Sequence, residues 1–206
     1  MGESNSVFVF RGTTENELQE QMSIAVTSFG GQLDWSARPD AMSAKLLTSH
    51  RDNTHAAYID LKGFEIAKAI GKSLGITWMN LRIQEGSLWD YSLYSGADHA
   101  DNFSTLPEYW DDDSEWIATQ RGNPELLARL WQIEQNTIDR FLRPWGMEQD
   151  EEARIFRTRL QGKAYPSDRY GYGDIWQMTD FLRSLRAHDP NFDQPTCVPR
   201  GLSFSK

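Results

Sequence analysis

The sequence predicts an α+β fold: an antiparallel sheet with a central meander, helices packed on it, and a helical C-terminal half. Three observations carry this. Residues 77–94 show two alternating runs separated by a turn, the 14–29 region has a helix cap followed by apolar residues at helical spacing, and the apolar pattern after residue 123 is helical.

Taken in order, Val7, Phe8, Val9 and Phe10 form an unbroken run of β-favouring residues, the mark of a strand buried on both faces. Thr14 then stands three residues before Glu17, the spacing of a capping box, and Leu18, Met22, Ala25, Val26 and Phe29 follow on one helical face. Gly30 and Gly31 stop that helix. From 32 to 53 periodicity fades: Arg38, Pro39 and Asp40 signal a turn, and 41–47 is read as a short helix. A strand is expected around 56–61. A helix follows, with Phe64, Ala67, Ile70, Gly71 and Leu74 on one face and Gly75 as its stop.

In the clearest strand, Thr77, Met79, Leu81 and Ile83 alternate with Trp78, Asn80, Arg82 and Gln84. Glu85, Gly86 and Ser87 make the turn to a second strand, where Trp89, Tyr91 and Leu93 alternate with Asp90, Ser92 and Tyr94. A turn near Gly96 and a short strand around 102–105 complete the meander. Asn123 can cap a helix with Pro124 at its first position and Glu125 in its first turn. Its apolar stripe runs on through Ile138, Phe141 and Leu142 to Pro144, as one helix or two. Asp174 and Gln177 have capping-box spacing ahead of a last helix carrying Ile175, Met178, Phe181, Leu182 and Leu185. No Ser/Gly-rich linker divides the chain, so 1–206 is read as one domain, with 187–206 as an extended C-terminal tail punctuated by Pro190, Pro195 and Pro199.

Composition narrows the function classes. No apolar run is long enough for a membrane helix and the N-terminal residues lack a basic leader, so neither membrane nor export is expected. Cys197 is the only cysteine, which forbids an internal disulfide and fits the cytoplasm. A formal charge of -9, with no run of Lys or Arg, disfavours nucleic acid and would speed encounter with a basic protein partner.

The motifs bearing chemistry are few. Asp98, His99 and Asp101 offer metal ligands or an acid-base pair in the turn after a strand, but Asp and His are also ordinary turn residues and no second histidine stands nearby. His50 and His55 have a metal-like separation without the rest of a zinc pattern. Cys197, between prolines and distant in sequence from every histidine but His188, lacks the setting of a nucleophile. The glycines around Tyr165, Tyr170 and Tyr172 have the wrong spacing for a phosphate or dinucleotide loop. No catalytic residue, cofactor or metal is therefore assigned.

The remaining signal is acidic and aromatic. Glu108, Asp111, Asp112, Asp113 and Glu115 crowd together, without the glycine an EF-hand loop needs, and the chain holds eight tryptophans. Trp89, Tyr91, Tyr94, Tyr109, Trp110 and Trp116 lie in or beside the meander and this acidic stretch, where they would either fill the core or anchor a partner. The expectation is a non-enzymatic protein-interaction module with these six rings and Asp111, Asp112 and Asp113 as its binding residues. The alternative is an enzyme or small-ligand binder with a polar cleft near Asp98, His99, Asp101 and the 165–172 loop. In composition and element order the chain resembles small bacterial proteins, including immunity proteins that neutralise toxins; no motif carries the resemblance, so it implies no site residue.

Overall fold

The computed structural model describes residues 5–35, 44–51, 53–59, 61–84, 88–142, 175–187 and 198–204. Its class is α+β with an antiparallel sheet. Contacts divide the chain into two compact units, one made of Ser6–Asn80, Leu93–Ala100 and Arg186–Lys206, the other of Met1–Asn5, Leu81–Ser92 and Asp101–Leu185.

In the first unit, β1 (Asn5–Arg11) leads to α1 (Glu15–Ser28), and then to β2 (Gly31–Asp34), β3 (Ala44–Arg51) and β4 (Thr54–Ile59). Helix α2 (Gly63–Leu74) follows, and β8 (Val198–Phe204) returns from the C-terminal end. Five strands run β2-β8-β3-β4-β1 with antiparallel pairing throughout. Next to β1 come β5 (Thr77–Gln84), β6 (Leu88–Ser95) and β7 (Asp98–Ser104), each of which gives part of its length to this unit.

The capping box on α1 forms as the spacing requires. Thr14 Oγ1 accepts the Glu17 N–H at 3.3 Å while Glu17 Oε2 accepts the Thr14 N–H at 2.9 Å. Leu18, Met22, Ala25 and Val26 of α1 and Ile66, Ala67 and Ile70 of α2 meet Phe8, Phe10, Ala57, Ile59 and Trp78 in one core. Phe64, placed on that face by sequence, is instead 37% exposed, because the buried stripe of α2 is centred on Ile66, Ala67 and Ile70. The two helices are tied by the Ser73 hydroxyl donating to Gln21 Oε1 at 2.7 Å, and Lys62 Nζ donates to the carbonyl of Phe29 at the end of α1.

Two expectations need correction here. The segment read as a short helix at 41–47 is strand from Ala44 onward, the stretch 41–43 lying outside the described residues. A short apolar run has no period of its own; β3 is fixed by ladders to β4 and to β8, the latter supplied from far along the chain. Asp98, His99 and Asp101 belong to strand β7 rather than to a turn, because only Gly96 and Ala97 turn the chain after β6. The left-handed φ of +59° at Gly96 makes so tight a connection affordable. Within the segment read as an extended C-terminal tail, Val198–Phe204 is strand β8, which lies between β2 and β3.

The second unit holds the remaining lengths of β5, β6 and β7, a 3-10 turn at Pro107–Tyr109, and helices α3 (Ser114–Thr119), α4 (Pro124–Trp131), α5 (Gln135–Asp139) and α6 (Ile175–Ser184). The helical stretch after Asn123 is thus two helices, broken where Gln132 takes a left-handed φ of +55°. Asn123 caps α4 as expected, its Oδ1 accepting the Leu126 N–H at 2.9 Å. Asp174, the expected cap of α6, lies outside the described residues. Among the described residues no helix is long and apolar enough to cross a membrane.

Gly71 has no room for a side chain: an added Cβ would overlap the Trp78 indole, itself held by Nε1 donating to the Gly96 carbonyl at 2.8 Å. Gly71→Ala is expected to cost about 1–3 kcal/mol in urea unfolding. Glu17 is expected to leave a mark on the acid limb. The Thr14 N–H, then the Thr14 and Thr13 hydroxyls, hold its carboxyl below the usual range. A lowered folded pKa gives stability that is present above the unfolded value and lost as pH falls through the folded one. Urea midpoints of Glu17→Gln should therefore fall less steeply than those of the unaltered protein as the solution is acidified.

Candidate functional site

The acidic and aromatic residues lie in the second unit on an excursion from the end of β7. Thr105 fastens its start by a triple contact with Trp89: its N–H and hydroxyl donate to the Trp89 carbonyl at 3.1 and 3.0 Å, and its Oγ1 accepts the Trp89 N–H at 3.2 Å. Leu106 and Pro107 are buried beneath it. The chain comes back beside its own exit. The Ser104 N–H donates to the Gln120 carbonyl at 3.0 Å, Phe103 bridges to Arg121, and the Gly122 N–H donates to the Asn102 carbonyl at 2.8 Å. Residues 105–119 form a loop closed at its base, the construction of an Ω-loop.

At the outer part of this loop Tyr109 and Trp110 are 51% and 47% exposed, with ring centroids 5.1 Å apart and planes at 89°. The carboxylates beside them have different duties. Asp111 Oδ1 accepts the Asp113 N–H at 3.0 Å, and Asp113 Oδ1 accepts the Glu115 N–H at 2.9 Å as the N-cap of α3. The side-chain carboxylates of Asp112 and Glu115 make no hydrogen bond or ion pair among the described residues, and both residues are exposed. No Lys or Arg occurs from Glu108 to Thr119, so nothing within the loop sequence offsets this charge. Trp116 is half-buried on α3, a helix with no buried residue.

The structure separates the other predicted binding rings from this group. Trp89 and Tyr91 are 1% exposed. Trp89 lies 4.9 Å from the Phe103 ring and 5.0 Å from that of Phe181, and its Nε1 donates to Gln177 Oε1 at 2.9 Å. Tyr91 stacks on Phe181 and Phe103. Both point to the face of β6 that α6 covers, so they hold the core and offer no contact surface. Tyr94 belongs to the other unit, half-buried and stacked on Trp78 at 4.2 Å. Tyr109, Trp110, Asp111, Asp112 and Asp113 remain as a contiguous exposed set. The closure of the loop on itself was not read from the sequence; Thr105 before a buried Leu-Pro pair, and Asp113 in cap position, were its local signs.

The cleft imagined at Asp98, His99 and Asp101 has a different character. Strand alternation directs Asp98 and Asp101 to opposite faces of β7. Asp98 and His99 are exposed, and His99 packs edge-on to Tyr94 at 5.4 Å. Asp101 is occupied structurally: its Oδ2 accepts the Tyr91 hydroxyl at 2.7 Å and the Asn123 N–H at 2.8 Å. His55 is buried with Nε2 3.0 Å from the Thr13 carbonyl, an acceptor, so that nitrogen carries the proton. His50 is its register partner across β3 and β4. Among the described residues no three His, Cys, Asp or Glu side chains are grouped to hold a metal ion. The 165–172 loop, His188 and Cys197 lie outside the described residues.

One further carboxylate is buried. Asp90 Oδ1 accepts Arg82 Nε at 2.7 Å across β5 and β6; burial pushes its carboxyl up, and Arg82 only partly opposes this.

Tyr91→Phe tests the Asp101 bracket. Loss of a hydrogen bond to a carboxylate is expected to cost about 1.5–3 kcal/mol at neutral pH. Burial, followed by the Asp101 charge and hydrogen bond, raises the Tyr91 phenol well above its ordinary value. A raised folded pKa gives stability that is complete below the unfolded value, about 10, and lost as pH rises through the folded one. Urea unfolding at alkaline pH should show that loss in the unaltered protein and a shallower one in Tyr91→Phe.

No protein-family model matches the chain, and neither a curated protein nor a solved structure matches it.

Proposed function

We propose that the protein is a non-enzymatic protein-interaction module that receives a basic protein surface on the 105–119 loop. The observation that carries this reading is the pair Tyr109 and Trp110, half exposed beside carboxylates with no cation in the loop sequence. Large rings with few rotatable bonds make efficient anchors, and desolvating such a side chain yields about 1.5–3 kcal/mol when it is fully buried. An Arg or Lys of the partner would gain from both neighbours: a ring face attracts a cation by about 0.5–2 kcal/mol, and the carboxylates steer its approach. Asp112 and Glu115 would meet it directly, since Asp111 and Asp113 already each give one oxygen to the backbone. The base of the loop is tied at Trp89 and Gln120, so little backbone ordering would be needed on binding. In this reading the module works in the cytoplasm, and a toxin of basic surface is one partner class its chemistry admits.

The test is capture from native lysate on the immobilised protein at low and high salt, with retained proteins identified by mass spectrometry and the leading one then titrated. A single basic protein retained at low salt and released at high salt is expected. Tyr109→Ala and Trp110→Ala should each weaken its binding by about 2 kcal/mol or more, roughly 30-fold, while leaving the urea midpoint nearly unchanged. Asp112→Asn combined with Glu115→Gln should flatten the salt dependence. Binding that ignores all four positions would overturn the assignment of this loop.

A further inference from the structure

We draw no further inference here: the strongest candidate, the surface patch at the head of α2 where Leu61 and Phe64 are exposed and Phe64 packs edge-on against Trp78 and Tyr94, is an unpartnered apolar face, and nothing in the structure shows what covers it.

Discussion

One carboxylate oxygen, Asp101 Oδ2, joins three elements of the second unit. From β7 it takes the phenol of Tyr91 on β6 and the backbone N–H of Asn123, the cap of α4. The chain reaches Asn123 through Gly122, whose left-handed φ of +70° and crowded position leave no place for a Cβ: one would lie 2.8 Å from the Tyr91 hydroxyl and 3.2 Å from Phe103 Cβ. Because Gly122 also donates to Asn102, the return of the 105–119 loop and the start of α4 are set by the same few atoms. A functional candidate in the sequence thus proves to be a structural joint, and the exposed loop owes its closed base to it.

The contrasting fates of the aromatic residues follow from the same geometry. Trp89 and Tyr91 sit two apart on β6 and therefore share a face, which Phe103 and Phe181 close. Ring pairs of this kind add about 0.5–1.5 kcal/mol each beyond the area they bury, and they fix the unit that carries the loop. Tyr109 ends the 3-10 turn and Trp110 caps it, and their rings pack edge-on against each other at 5.1 Å while both stay about half exposed, outside the core filled from β6. Their exposure is a consequence of where the turn stands.

Much of the fold was legible because local rules and tertiary packing agree. Thr14 and Glu17 announce α1, the 77–94 alternation announces the hairpin, and Asn123 with Pro124 announces α4. The failures fall where the deciding contact is remote. β3 is a strand because β4 and β8 flank it, and the β8 segment, which carries Pro199, comes from far along the chain. Pro199 stands opposite Leu47 there, a reminder that proline excludes only one hydrogen bond of a strand. β5 likewise reads as amphipathic yet is buried on both faces over its middle, Trp78 and Asn80 on one and Met79 and Leu81 on the other.

At the candidate site, sequence supplied composition and position but not allocation. Six rings near one acidic stretch looked like one surface; packing assigns two to a core, one to the other unit, and leaves Tyr109 and Trp110 exposed with Trp116 half-buried. The charge divides in a similar way. Asp111 and Asp113 are bound into the turn and the cap, so their presence needs no partner to explain it, as a solvated acidic run before a helix would suggest. Asp112 and Glu115 have no such duty among the described residues. The case for a binding surface therefore rests on two carboxylates and two rings rather than on the whole acidic run, and those four positions are where a basic partner would have to be felt.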